Sequence, residues 1–217
     1  NGGYMYVDKT RFILKLLEGN KFYFLARPQG FGKSLFISTL EAVFRNKRHL
    51  FNETDIGISD YLWTEYPVIK IDFSSFAGES SKAFQDFIIN ALQNAAQSYR
   101  IVTTEKSVKG LMNDLTNALQ NEYLMRVVIL IDEHDLMINR NADTFQSELK
   151  EFYHYLETIP ERIEICFATG VLYKTTFRWN DTHTVIDQFH DTWNDDHEHY
   201  ADVVGFTKEE VMTYLAD

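Results

Sequence analysis

The sequence predicts an α/β fold built on a mostly parallel central sheet flanked by helices. Four short apolar runs with strand character alternate along the chain with longer segments whose apolar residues recur at helical spacing. Such alternation is typical of parallel sheets, and strands that are almost wholly apolar are those buried on both faces. The chain has 217 residues, 45% of them hydrophobic and 24% charged, which favours one large domain over two ordinary ones.

Composition excludes several classes of protein. The formal net charge of −11 opposes general attraction to nucleic acid or to anionic lipid. Cys166 is the single cysteine, so an intrachain disulfide is impossible and a reducing compartment is favoured. Because Cys166 lies inside a predicted strand, we expect its thiol to be buried in the core. No apolar run approaches the roughly 20 residues of a membrane span. We therefore expect a cytoplasmic protein without a membrane partner, and with nucleic acid only as an indirect one.

The first three elements are predicted as helix, strand and helix. The first helix carries Phe12 and Leu16 on one face, begins after Asp8 as its N-cap and ends at Gly19. The strand and the second helix follow as Lys21 to Ala26 and, after a glycine-containing loop, Leu35 to Phe44.

The remaining elements repeat the alternation. Three further buried strands are predicted at Pro67 to Phe73, Arg126 to Asp132 and Ile163 to Gly170. Helices with apolar residues at 3.6-residue spacing are predicted at Ser80 to Tyr99, Ser107 to Asn121 and Asp143 to Leu156. Ligands of open parallel sheets bind at the carboxyl ends of the strands, so the residues after each strand are the first candidates for a site.

The loop after the first strand fits a phosphate-binding motif. It reads Arg27, Pro28, Gln29, Gly30, Phe31, Gly32, Lys33, Ser34, with Leu35 next. In the pattern G-x-x-x-x-G-K-[ST], backbone N–H groups wrap phosphates, the lysine reaches the β/γ oxygens and the hydroxyl ligates magnesium. Seven of the eight positions agree; Arg27 replaces the first glycine, and Gly30 is expected to supply backbone freedom instead.

A second acidic element follows the strand that ends at Asp132. Five apolar residues run directly into Asp132 and Glu133, which is the form of a Walker B element. Asp132 is predicted to hold magnesium together with Ser34, and Glu133 to orient or activate the attacking water. Thr169 ends the next predicted strand, where its hydroxyl is placed to contact the γ-phosphate or that water.

These motifs and their surroundings resemble the bacterial AAA-ATPase-like domain family of P-loop proteins. The resemblance rests on YVDKTRFILKLLEGNKFYFLARPQGFGKSLFISTLEAVF, on YPVIKIDFS, LIDEHD and ATG, and on GFTKEEV near the end. It implies a three-layer P-loop NTPase of the ASCE type, in which the strand ending at Thr169 lies between the two motif strands. It also implies ATP and Mg²⁺ as ligands, an ATPase activity, and the turn at Tyr6, Val7 and Asp8 near the base.

The resemblance bears on organisation as well. Members of the family often carry a C-terminal nuclease-like domain of the PD-(D/E)XK type, which implies such a partner domain in the full-length protein; assembly into a homo-oligomer also stays open. Thr207 and Glu210 form a capping-box pattern that opens a helix near the end. We expect residues 1–217 to be a single domain that lacks its C-terminal lid and a downstream domain.

Several features leave alternatives open. His134 stands where the family usually has tyrosine, and Arg178 is either a phosphate-contacting arginine or a surface residue. The acidic stretch with His190, His197 and His199 fits no established metal motif. Beside an ATPase that switches a partner domain, the alternatives are a nucleotide-loaded scaffold without turnover, a nucleic-acid motor suggested by the DEHD sequence, and a small-molecule phosphotransferase. The sequence has no N-K-x-D guanine reader after its motifs, which favours adenine.

Overall fold

The structure is a computed structural model that describes residues 6–19, 21–134, 145, 148–149, 151–171, 189–191 and 203–214. The strands are β1 (Phe22–Ala26), β2 (Val68–Asp72), β3 (Val127–Asp132), β4 (Ile163–Gly170) and β5 (Phe189–Asp191). The helices are α1 (Arg11–Glu18), α2 (Lys33–Phe44), α3 (Asp55–Ile58), α4 (Ser81–Ser98), α5 (Val108–Tyr123), α6 (helical residues 145, 148–149 and 151–157) and α7 (Lys208–Tyr214).

The five strands form one sheet in the order β2-β3-β4-β1-β5, and every pair is parallel. β4 therefore lies between β1 and β3, which confirms the strand order expected for this fold. Because all strands are parallel, the loops that follow β1, β3 and β4 meet at one edge of the sheet.

Helices cover both faces of the sheet, so the three-layer α/β architecture is confirmed. Alternate residues of β3 point to opposite sides: Ile129 and Ile131 pack in the cluster formed with α4, α5 and α6, while Val128 and Leu130 pack with α1, α2 and α3. All six residues of β3 are buried. The continuous apolar runs in the sequence are explained by this burial on two faces.

Within the described residues, the bounds of the predicted elements agree with the structure to within about two residues, except at the first helix. The helix start predicted at Asp143 lies outside the described residues, and α3 and β5 were not predicted. Ser80 and Ser107 are the N-caps of α4 and α5, and their hydroxyls accept the amides of Ala83 and Gly110. The prediction of Asp8 as the N-cap of α1 is wrong. The helix begins at Arg11 and its N-cap is Thr10, whose side chain does not cap it.

The carboxylate of Asp8 binds the N-terminus of a different helix instead, α3, whose N-cap is Thr54. Its Oδ1 accepts from the amide of Thr10 at 2.8 Å, and its Oδ2 accepts from the amide of Asp55, the first residue of α3, at 2.6 Å. Thr10 Oγ1 accepts the next amide, that of Ile56, at 3.0 Å. The amides of the first two residues of α3 are thus satisfied by side chains from a segment more than 40 residues earlier, which fixes the residues before α1 against α3.

Two other expectations concern single features. Cys166 lies in β4 and is fully buried, as predicted, and burial raises the pKa of its thiol. Within the part of the chain that the structure describes, no helix is both long and apolar enough to cross a membrane.

Candidate functional site

The loop between β1 and α2 has an open, glycine-shaped backbone. Gly30 and Gly32 adopt φ of 82° and 87°, in the left-handed region, and apart from their chain neighbours no atom of the described residues lies within 4 Å of the position that a Cβ would occupy at either glycine. The expectation that Gly30 supplies backbone freedom is therefore confirmed. Arg27 is not among the described residues with positive φ, so a side chain at that position costs no such strain. The two glycines thus leave open space beside the loop backbone at the start of α2.

The ammonium group of Lys33 is held inside this loop. Its Nζ donates to the carbonyl oxygens of Arg27 at 3.0 Å and Pro28 at 3.3 Å, and it lies 3.2 Å from Glu133 Oε1. The Lys33 side chain is 3% exposed. The structure thus brings the end of β3 against the loop after β1, although the two motifs are 100 residues apart in the chain.

Asp132 and Thr169 are joined at the ends of β3 and β4. Thr169 is fully buried; its hydroxyl donates to Asp132 Oδ1 at 2.5 Å and accepts from the amide of Glu133 at 3.2 Å. Asp132 is 4% exposed. Thr169 consequently fixes the turn that carries the two carboxylates, and in this conformation its hydroxyl is engaged with them.

Glu133 has an unusual backbone and a partly unsatisfied side chain. Its φ is 52°, a left-handed value that costs a non-glycine residue about 1 kcal/mol or more. Oε1 faces Lys33, whereas Oε2 is buried and has no hydrogen-bond partner among the described residues. Buried carboxylate oxygens are normally paired, so an orphaned one points to a ligand or water that completes the site.

The other predicted loop residues lie around this centre. Ser34 is in the first turn of α2 and its side chain is exposed, as are those of Pro28, Gln29, Phe31 and Leu35. The buried Arg27 continues the sheet, because its amide donates to Gly170 O at 3.0 Å. The hydroxyl of Ser34 and the carboxylate of Asp132 are oxygen ligands of the kind that Mg²⁺ prefers.

A pocket of about 480 Å³ adjoins the loop. Its walls come from the N-terminal segment 6–9, from the loop and α2, and from residues 203–206. Most of the lining is apolar or aromatic; the residues are Tyr6, Val7, Lys9, Gly30, Phe31, Gly32, Leu35, Phe36, Thr39, Val203, Val204, Gly205 and Phe206. Burial raises the pKa of the Tyr6 phenol, which remains uncharged near neutral pH. The pocket suits a flat, uncharged group placed beside the loop after β1.

The remaining candidate residues named from the sequence make other contacts or lie outside the described residues. His134 Nδ1 lies 3.0 Å from the hydroxyl of Tyr153, and its ring packs edge-on against Phe24. Arg178, His197 and His199 lie outside the described residues, and only the backbone of His190 is described, in β5. Among the residues that the structure does describe, no group of three or more His, Cys, Asp or Glu is arranged to hold a metal ion.

Residues 203–206 and Lys9 were missed by sequence reasoning as parts of the site. The capping box after them is present as predicted: the amide of Thr207 donates to Glu210 Oε2 at 2.8 Å, and the amide of Glu210 donates to Thr207 Oγ1 at 3.1 Å. No local signal indicated that this segment returns to the loop after β1. Asp72 was also passed over, although it ends β2 directly in register with Asp132.

Comparison with known proteins identifies the family of this chain. Residues 1–177 match the model of the AAA-ATPase-like family, described as "Predicted AAA-ATPase". An uncharacterized protein in the vnfD 5′ region of Azotobacter chroococcum mcd 1 is 29% identical over 175 residues, which cover 77% of this chain and 34% of that protein. The Walker-type ATPase PABY2304 of Pyrococcus abyssi matches 75% of this chain and 44% of its own, with 17% identity and a TM-score of 0.45.

The chain spans about a third of the length of the Azotobacter relative. The likeness to that relative therefore concerns the matched region alone and not the whole of that protein. The match to the family covers most of the 217 residues and includes the loop after β1, Asp132, Glu133 and Thr169. By that match, the chain belongs to the AAA-ATPase-like family.

Proposed function

We propose that this chain is an ATP-binding, Mg²⁺-dependent ATP-hydrolysing module that couples its nucleotide state to an attached or partner domain. The observation that carries the proposal is the meeting of Lys33, Glu133 and the Asp132–Thr169 pair beyond the ends of three adjacent parallel strands. A cation, an orphaned carboxylate oxygen and an open backbone loop at one sheet edge are the parts required to bind a phosphate chain and direct a water at it.

The loop is suited to hold the phosphates. Its two left-handed glycines leave the backbone open on the side where a Cβ would stand, and α2 begins directly after it, so helix N-terminal amides face the same space. Lys33 is the buried cation at this position. We assign it to the β- and γ-phosphates, which it can reach after its contact with Glu133 is released.

Ser34 and Asp132 are the residues that would hold magnesium. Both side chains offer oxygen ligands, which Mg²⁺ prefers. Ser34 has an exposed hydroxyl, and the carboxylate of Asp132 accepts a hydrogen bond from the Thr169 hydroxyl at Oδ1. When bound, Mg²⁺ neutralises the charge on the phosphate oxygens. The chain's part is to present these two oxygens on rigid elements, at the first turn of α2 and the last residue of β3.

Glu133 is assigned as the residue that orients and deprotonates the attacking water. It follows Asp132 directly, and its buried Oε2 has a hydrogen-bonding capacity that no described side chain or backbone group fills. Thr169 holds the Glu133 amide at 3.2 Å and thereby sets the position of that carboxylate. A contact of Thr169 with the γ-phosphate would require its hydroxyl to leave Asp132.

The apolar pocket beside the loop is assigned to the nucleobase. Tyr6, Phe31 and Leu35 line it and are partly exposed, so they provide surface on which a base can pack. The turn at Tyr6 to Asp8 was expected near the base, and the position of this pocket supports that. Adenine is favoured, because the sequence has no guanine reader after its motifs.

A nucleotide-loaded scaffold without turnover is the second candidate. It is favoured by the ion pair between Lys33 and Glu133, since a carboxylate that stays on the lysine cannot activate water. Calorimetry with ATP, compared with the rate of phosphate release, separates the two candidates. Binding without release identifies the scaffold.

Nucleotide binding is tested by titrating Mg·ATP into the wild-type chain and Lys33→Ala. Loss of a charged hydrogen-bond donor to phosphate is expected to weaken binding by about 10- to 150-fold. Lys47→Ala is the matched control, because Lys47 is an exposed lysine just beyond the end of the same helix. Equal affinity of wild type and Lys33→Ala would remove the phosphate assignment.

A further inference from the structure

The base pocket is closed by a segment from the other end of the chain. Val203, Val204, Gly205 and Phe206 line the pocket together with residues of the N-terminal segment 6–9. Val203 and Val204 are buried in the cluster that contains α1 and α2, so this wall is packed on the domain. The pocket therefore depends on two segments that are about 200 residues apart.

The segment 203–206 also packs against the loop after β1. Gly205 has a φ of 77°, and a Cβ at this residue would lie 3.2 Å from Cδ1 of Phe31. Phe31 stands between the two left-handed glycines of the loop. Gly205 therefore packs beside the Phe31 side chain, and a side chain in its place would crowd that ring.

A largely buried ion pair connects the two segments that line the pocket. Lys9 Nζ contacts both carboxylate oxygens of Glu210, at 2.7 and 2.8 Å, and the two side chains are only 10% and 14% exposed. Lys9 lines the pocket, and Glu210 is tied to Thr207, next to Phe206, by the capping box. The pair therefore connects the first wall to the segment that directly continues the second.

We propose that Lys9 and Glu210 are positioning residues that clamp residues 203–206 over the nucleoside part of a bound nucleotide. The inference rests on the proposed function, because it takes the pocket as the site of the base. Closing the wall and binding the base then favour each other, so breaking the ion pair must weaken the binding of a nucleotide. By the same reciprocity, a bound nucleotide stabilises α7 in its position on the domain.

The clamp predicts a discrimination between ligands. Neither residue is in the loop that faces the phosphates, and neither contacts Lys33, Asp132 or Glu133 in any described interaction. Loss of the clamp should weaken the binding of a ligand that has a base and a ribose, whereas the affinity for inorganic pyrophosphate should not change. A general loss of folding would affect both ligands alike.

The test is calorimetric binding of Mg·ADP and of Mg·pyrophosphate to the wild-type chain, Lys9→Gln, Glu210→Gln and the double variant. The Glu210→Gln substitution keeps the capping box, which accepts either Glu or Gln at this position, so it removes the charge alone. Glu209→Gln, at the exposed neighbouring position on α7, is the matched control. The double variant leaves no unpaired buried charge at the clamp and keeps the test valid if a single variant fails to fold.

The expected result is about tenfold weaker ADP binding in each single variant, a similar loss in the double variant, and unchanged pyrophosphate binding. Equal losses for both ligands, additive losses in the double variant, or wild-type ADP affinity throughout would each overturn the clamp. If the wild-type chain binds neither ligand, the proposed function fails and the clamp fails with it. If wild type and variants bind both ligands equally well, the clamp alone fails.

Discussion

Replacing Glu133 with glutamine is expected to tighten ADP binding by about tenfold. Lys33 must leave Glu133 before it can contact a phosphate, and the two groups lie 3.2 Å apart with little exposure. In Glu133→Gln the amide oxygen can still accept a hydrogen bond from the Lys33 ammonium, but the attraction between two opposite charges is lost. Coupling energies of close, desolvated charge pairs begin at about 1.5 kcal/mol, so the cost of releasing Lys33 should fall by about that amount, which corresponds to roughly a factor of ten.

The assay is calorimetric titration with Mg·ADP, which avoids turnover during the measurement. Glu122→Gln, an exposed position at the end of α5, serves as the control and should bind ADP as the wild type does. Equal or weaker ADP binding by Glu133→Gln would refute the reasoning. It would mean that the contact between Glu133 and Lys33 does not compete with phosphate.

Three further predictions concern stability and reactivity. Burial alone would raise the pKa of Glu210, but hydrogen bonds from Lys9 and the amide of Thr207, together with the charges of Lys9 and Arg11, hold it below the usual 4.5. Because the folded-state pKa of Glu210 is lowered, its charged carboxylate stabilises the folded protein fully above pH 4.5. In denaturant titrations, the stability advantage of wild type over Glu210→Gln should therefore begin to shrink near pH 4.5 and be lost as pH falls through the lower folded-state pKa, and an advantage that does not change with pH would contradict this. Cys166, whose thiol pKa is raised by burial, should resist thiol reagents in the folded chain and react fully in denaturant, and labelling at the unfolded rate under native conditions would contradict this. Thr169→Val should lower the free energy of unfolding by about 1–3 kcal/mol, because it leaves the buried Asp132 Oδ1 without its hydroxyl donor, and a change below about 0.5 kcal/mol would count against that bond.

The sheet could be predicted from the sequence because its signals are local. Each of β1 to β4 is a short apolar run, and β4 was predicted at its observed bounds, Ile163–Gly170. β5 has only three residues, two of them polar, and was not predicted. Ser80 and Ser107 marked the starts of α4 and α5, since a serine N-cap satisfies the amide three residues later. The order of the strands came from resemblance to a family rather than from any local pattern.

The errors occurred where a distant partner decides the structure. Asp8 has the residue type and spacing of an N-cap for α1, yet its carboxylate binds the amide of Asp55, 47 residues away. The ion pair between Lys9 and Glu210 joins residues 201 positions apart, and nothing near either residue indicates it. The same limit applies to Lys33 and Glu133, whose motifs were recognised although their mutual contact was not.

The central claim is that this site hydrolyses ATP, and its most direct test is phosphate release from Mg·ATP by the wild-type chain, Lys33→Ala and Glu133→Gln side by side. The account predicts magnesium-dependent release by the wild type, with loss in Lys33→Ala because phosphate is no longer held, and loss in Glu133→Gln because water is no longer activated. Glu133→Gln should still bind nucleotide, which separates the two causes. Phosphate release that survives both substitutions would contradict the assignment of the site.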